Sequence, residues 1–148
     1  MAPRTSTKEK ILDVAEGLFA EHGFNDTSLR TITGKANVNL ASVNYHFGDK
    51  KTLVRAVLDR YLEALMPSIK TSLIELNTRD SYDMDDVFES LRLPLRTLND
   101  VRPNGTALFM LLIGRGYTDV QGHLRWFITT RYEEVLNLFT FSIMKANP

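Results

Sequence analysis

The stretch Thr27-Ser28-Leu29-Arg30-Thr31-Ile32-Thr33-Gly34-Lys35-Ala36-Asn37-Val38-Asn39-Leu40-Ala41-Ser42-Val43-Asn44-Tyr45-His46-Phe47 decides the fold. Leu29, Ile32 and Ala36 recur three and four residues apart, the period of a helix with one buried face, and Asp26 or Thr27 stands where an N-cap belongs. A turn follows at Asn37-Val38. Asn39 is then an N-cap in its own right, and Val43 and Phe47 lie four apart on a second short helix that Gly48 closes. Two short helices joined by a tight turn have the size and polarity of a helix-turn-helix. With Ala36, Val38, Val43 and Phe47 turned inward, the residues left outside are Asn39, Leu40, Ser42, Asn44, Tyr45 and His46. Most of these types bond phosphates and base edges, and Arg30, Lys35, Lys50, Lys51 and Arg55 flank them with cations. The same pattern suits a three-helix subdomain with a solvated polar face, and on these residues alone both readings stand.

Working outward, the spacing predicts helices almost everywhere and no alternating strand, hence an all-α protein. Thr7 to His22 carries Ile11, Ala15, Leu18 and Phe19 on one stripe and Lys8, Glu9, Asp13 and Glu16 on the other, with Gly23 as its stop. Asp49 caps a long fourth helix whose stripe is Leu53, Val57, Tyr61 and Leu65, running to about Leu76 with a kink at Pro67. A fifth, from Met84 to Leu98, bears Val87, Phe88, Leu91 and Leu95 and bends at Pro94. Val101 to Gly105 is a turn. Thr106 to Tyr117 reads as a nearly all-apolar helix, and Val120 to about Lys145 as one long amphipathic helix.

Composition narrows the function. A chain of 148 residues with 43% hydrophobic and 24% charged content is one globular domain, or a small domain with part of a second. The longest apolar run, Thr106 to Gly114, is about half of the roughly 20 residues a membrane span needs, and no signal segment precedes the first helix. A cytoplasmic protein with no membrane partner is expected. No cysteine is present, and His22, His46 and His123 lie far apart, so neither a metal site nor a cofactor is expected. No nucleophile and base share a recognisable motif, and the acid pairs Asp85-Asp86 and Glu133-Glu134 read as solvated charge, so an enzyme is not expected. The formal net charge is zero, but residues 1–62 carry nine Lys/Arg against seven Asp/Glu, and the remainder nine against eleven.

The run Ala36 to Leu53, with Tyr45-His46-Phe47 and Lys50-Lys51-Thr52-Leu53 inside it, resembles the recognition helix and following helix start of TetR-family transcriptional repressors. Ile11-Leu12, Ala15, Leu18-Phe19, Gly23-Phe24, Thr27-Ser28 and Ile32 are similar to that family's first two helices at the same spacing. The resemblance implies a double-stranded DNA operator as partner. It sets Thr27, Tyr45, His46 and Lys50 against the phosphate backbone, with Ser28 and Arg30 beside them, and sends Asn39, Leu40, Ala41, Ser42 and Asn44 into the major groove. Asn37 stands where the family usually has glycine, a position wanting positive φ that asparagine tolerates. Leu40-Ala41 and Asn44 stand where it more often has Lys-Gly and an aromatic, so the operator does not follow from better-known members. Asn44 is the candidate base contact, since its amide can pair with adenine; an exposed helix residue is the alternative.

Farther on, Phe109-Met110-Leu111-Leu112-Ile113-Gly114-Arg115 and Gln121-Gly122-His123-Leu124-Arg125 are similar to the sixth and seventh helices of TetR-type regulators of fatty-acid metabolism. This implies a small-molecule effector, a long-chain fatty acid or acyl-CoA, in a site drawn from Phe88, Leu91, Arg92, Phe109, Leu112, Ile113, Arg115 and Phe127. Read alone, the apolar members of that set more often describe plain core than the wall of a ligand site. Arg92, Arg115 and Arg125 are the anion anchors on offer, and His123 reads as a cap or structural histidine. The resemblance divides the chain into a helix-turn-helix head at 1–48 and a helical regulatory domain at 49–148 that lacks the last two dimerisation helices. It implies a homodimer in the full-length form, and it exposes Leu136, Phe139 and Ile143 for want of those helices. A helical lipid-binding or protein-interaction module without DNA binding is the alternative from another class.

Overall fold

Ser6 opens the first helix by accepting a hydrogen bond from the Glu9 amide at 3.1 Å, an N-cap that precedes α1, Thr7–His22. The computed structural model describes residues 6–117 and 123–148. Among them the order is α2, Leu29–Ala36; α3, Leu40–Phe47; α4, Lys50–Leu76; α5, Met84–Val101; α6, Gly105–Tyr117; α7, His123–Arg131; and α8, Glu133–Ala146. All the regular structure described is helical, as the periodicity predicts. The expected start of a helix at Val120, and Gln121-Gly122, lie outside the described residues.

The helices divide between two compact units, residues 1–59 with 110–124, and residues 60–109 with 125–148. In the first unit, α1, α2 and α3 pack on one another around Ile11, Ala15, Phe19, Ile32, Ala36 and Val43, each wholly buried. The Phe19 and Phe24 rings meet at 5.1 Å in a tilted pair. Glu16 falls on the polar stripe of α1 by periodicity, yet it is 2% exposed. Because both α2 and α3 lie on α1, the buried arc is wider than its apolar stripe.

Arg115, at the end of α6, also belongs to this unit. Its guanidinium donates to the Ala20 carbonyl at 3.4 Å and to the Glu21 carbonyl at 3.0 Å. Those oxygens are among the last four of α1, which have no partner within the helix, so a cation there satisfies acceptors and opposes the helix dipole.

In the second unit, Leu73, Leu76, Tyr82 and Val87 form a buried cluster against which Leu138, Phe139 and Ile143 of α8 pack. A polar thread crosses it. The Asn77 amide donates to Ser142 Oγ at 2.9 Å and to the Leu73 carbonyl at 2.8 Å, while the Tyr82 hydroxyl donates to Asn77 Oδ1 at 2.8 Å. Asp83 and Asp86 close a reciprocal capping box at the start of α5, 3.0 Å each way. Gly105 is obligatory at the α5–α6 turn, since a Cβ there would overlap the Leu98 carbonyl.

α4 and α5 each run through their proline, Pro67 and Pro94, as one continuous helix. Two expectations are corrected here. The last long helix is two, parted at Tyr132, whose φ of −114° and ψ of 28° lie outside the helical well. Leu136, Phe139 and Ile143 are half-buried rather than exposed; the apolar side chains that α8 turns outward are Phe141 and Met144, one register away.

Candidate nucleic-acid interface

The turn between α2 and α3 is held by backbone bonds. Asn37 adopts the left-handed conformation, φ 56° and ψ 47°, and the Val38 amide reaches back to the Thr33 carbonyl at 3.1 Å. Asparagine tolerates that conformation better than other non-glycine residues, as the sequence leads one to expect. Asn39 then returns to extended backbone, and its Oδ1 accepts from the Ser42 amide at 2.9 Å and the Ser42 hydroxyl at 3.0 Å. Gly48, at φ 82°, ends α3 by donating to the Asn44 carbonyl at 2.9 Å.

Fixed at both ends, α3 buries Val43 and Phe47 and leaves Ser42 and His46 half-buried. Leu40, Asn44, Ala41 and Tyr45, in that order around the helix, make its exposed arc. Tyr45 is 85% exposed and stands edge-on to the His46 ring at 5.0 Å. Arg30 and Lys35 on α2 and Lys51 on α4 are exposed. Lys50 is half-buried; burial pushes its ammonium below the usual lysine range, while Asp26 pulls the other way. Asp49 caps α4, and the Thr52 amide donating to its carboxylate at 2.8 Å holds its pKa below the ordinary value, with Lys51 and Arg55 adding to the effect.

Thr27 takes a different place from the one its resemblance implies. It is 2% exposed, and its hydroxyl donates inward to the Gly23 carbonyl at 2.7 Å and toward the Leu18 carbonyl at 3.3 Å. The cap of α2 is Ser28, which accepts from the Thr31 amide at 3.1 Å, in place of Asp26 or Thr27. Ser28 and Thr31 hydroxyls, 2.9 Å apart, are the ones this helix start turns outward. The sequence carries no signal for Thr31 beyond its place three residues after the capping Ser28, whose hydroxyl takes the Thr31 amide.

Two family descriptions match the chain. That of bacterial regulatory proteins of the tetR family covers residues 11–57, the three head helices and the start of α4, and that of the tetracyclin repressor-like C-terminal domain covers residues 89–148. The chain belongs to the tetR family. Among relatives, it is similar to the probable HTH-type transcriptional regulator YttP of Bacillus subtilis, 31% identical over 54% of this chain and 39% of that protein. It is also similar to the biofilm operon icaADBC HTH-type negative transcriptional regulator IcaR of Staphylococcus epidermidis, 24% identical over 89% of this chain and 69% of that protein. IcaR of Staphylococcus aureus is 27% identical over 57% of this chain and 43% of its own length. The chain thus matches about two fifths of the first of these relatives.

The residues expected to bind an effector are distributed over both units. Leu112, Ile113 and Arg115 belong to the same unit as the tetR-type head, where Leu112 is wholly buried and Arg115 caps α1. Phe88, Leu91, Arg92, Phe109 and Phe127 belong to the other. There Phe88 is 58% exposed, Arg92 bonds Glu89 at 3.3 Å, Phe109 is buried with its ring 5.7 Å from Tyr61, and Phe127 is half-buried with Arg131 over its ring. Leu91 lines an apolar cavity of about 190 Å³ with Met66, Ile69, Val135, Leu136 and Phe139. Among the described residues no His, Asp or Glu side chains gather as a metal site, and no helix is long and apolar enough to cross a membrane.

Proposed function

We propose that this tetR-family chain is a DNA-binding transcriptional repressor that meets its operator with the outer arc of α3 and is released by a long-chain fatty acid or acyl-CoA. One observation carries the first half. A rigidly capped helix turns Leu40, Ala41, Asn44 and Tyr45 outward with Arg30, Lys35, Lys50 and Lys51 in the flanking segments. Base-reading groups framed by cations are what a major groove between two phosphate strands requires. Ser28, Thr31, Tyr45, His46 and Lys50 serve the backbone, and the protein acts as a homodimer on two half-sites.

The apolar cavity beside Leu91 supports the second half. Its lining is all hydrocarbon and thioether, suited to part of an acyl chain, which gains about 0.8 kcal/mol per buried methylene. Release requires the acyl ligand to favour the non-reading state, so operator DNA must weaken its binding by the same factor.

Fluorescence anisotropy with a mixed-sequence duplex between 50 and 200 mM salt, rough limits over which counterion release is measured, tests the DNA reading. A steep fall of log K against log salt is expected. A lipid-binding module without DNA affinity gives acyl-CoA binding with no duplex signal at any salt.

A further inference from the structure

The outer arc of α3 has an uneven chemistry. At its N-terminal end, Asn39 Oδ1 takes both the amide and the hydroxyl of Ser42, which ties up the oxygen of the one and the proton of the other. Leu40, 46% exposed, and Ala41 offer only methyl groups. Next round the helix from Leu40 comes the exposed Asn44 carboxamide, one turn along on the same face. α3 contains no arginine or lysine, the side chains that most often read guanine.

In a major groove the apolar feature on a base edge is the thymine C5-methyl, and the edge matched by a carboxamide is adenine N6 and N7. Residues one helical turn apart are about 5.4 Å apart along the axis, so Leu40 and Asn44 fall within roughly two base pairs of each other. From this we infer that the half-site is read as A·T-containing sequence, Leu40 packing on a thymine methyl and Asn44 pairing with an adenine in the same or an adjacent base pair. The inference rests on the DNA-binding reading above and adds the base identity that reading leaves open. It makes Leu40 a specificity residue: an apolar side chain at the edge of the buried arc becomes covered only when a methyl-bearing base edge lies against it.

The test is selection of bound duplexes from a random library with the chain as it stands, followed by replacement of each selected thymine with uracil, which removes only the methyl. Enrichment of A·T pairs is expected. Uracil at one position should weaken binding roughly fourfold, the worth of one buried methyl-sized group. Leu40→Ala should bind thymine and uracil duplexes equally at that position while keeping the salt slope, and Asn44→Ala should lose preference for adenine there. Leu40 is exposed, so its truncation leaves the head core intact; circular dichroism of the variant checks this. Salt-dependent binding that is indifferent to uracil at every position, or a selected site made of G·C pairs, overturns the inference and leaves the DNA-binding reading standing. Absence of any salt-dependent duplex binding overturns both.

Discussion

The Thr27 hydroxyl is committed twice inside the head, to Gly23 and Leu18, and this makes its role separable from that of Ser28 beside it. Thr27→Val keeps the shape but takes the hydroxyl donor from the Gly23 carbonyl, so it should destabilise the chain by about 1–3 kcal/mol without changing base preference. Urea unfolding and duplex titration of the same sample check both parts. Asp49 offers a pH-dependent counterpart. Its carboxylate is held below the ordinary value of 3.8 chiefly by the Thr52 amide, so the folded chain binds that proton less readily than the unfolded one. Its contribution is complete above 3.8 and is lost as the pH falls through the lower folded value. Asp49→Asn, which still caps, should therefore be less stable than wild type near neutrality and indistinguishable from it, at this position, in strong acid. Unfolding midpoints across that acid range give the comparison.

At the scale of elements, what the sequence discloses depends on how local the cause is. α3 is legible almost to the residue, because Asn39, Ser42 and Gly48 set its ends within one turn of themselves. The cap of α2 is not. Ser28 takes that place because the Thr27 hydroxyl is turned inward, to the Gly23 carbonyl and toward Leu18, a burial that only the packed end of α1 imposes. The outward face of α8 is hidden for a similar reason. It carries two apolar stripes, and the choice of Phe139 and Ile143 for the interior is made by Leu73, Tyr82 and Val87 on other segments. The parting at Tyr132 has no glycine or proline to announce it. Arg115 reads as an anion anchor in sequence, yet in the fold it donates to the last carbonyls of α1. Arg115→Met, which keeps most of the stem, should lower stability by about 1–3 kcal/mol and leave acyl-CoA affinity unchanged. Thermal unfolding and calorimetric titration distinguish that outcome from loss of an effector anchor.

For the whole molecule, the chain divides into a unit that carries α1, α2 and α3 and a unit that carries the apolar cavity, with α4, α6 and α7 each contributing residues to both. The boundary near residue 59 lies inside α4, whereas the sequence-based division at 48 follows the helix start. The central claim is that the outer arc of α3 meets the duplex, and a charge placed on it tests this most directly. Ala41 is exposed and helical, so Ala41→Glu costs little in folding, but it sets a carboxylate among phosphates. Met144→Glu, on the exposed face of α8, adds the same charge to the other unit. Duplex affinities of the two variants and wild type, measured at one salt concentration with unfolding midpoints alongside, are the decisive comparison. The account predicts that Ala41→Glu lowers affinity at least tenfold with its midpoint unchanged, about 1.4 kcal/mol or more of lost binding, while Met144→Glu binds nearly as wild type. Equal affinity of Ala41→Glu and wild type would contradict it.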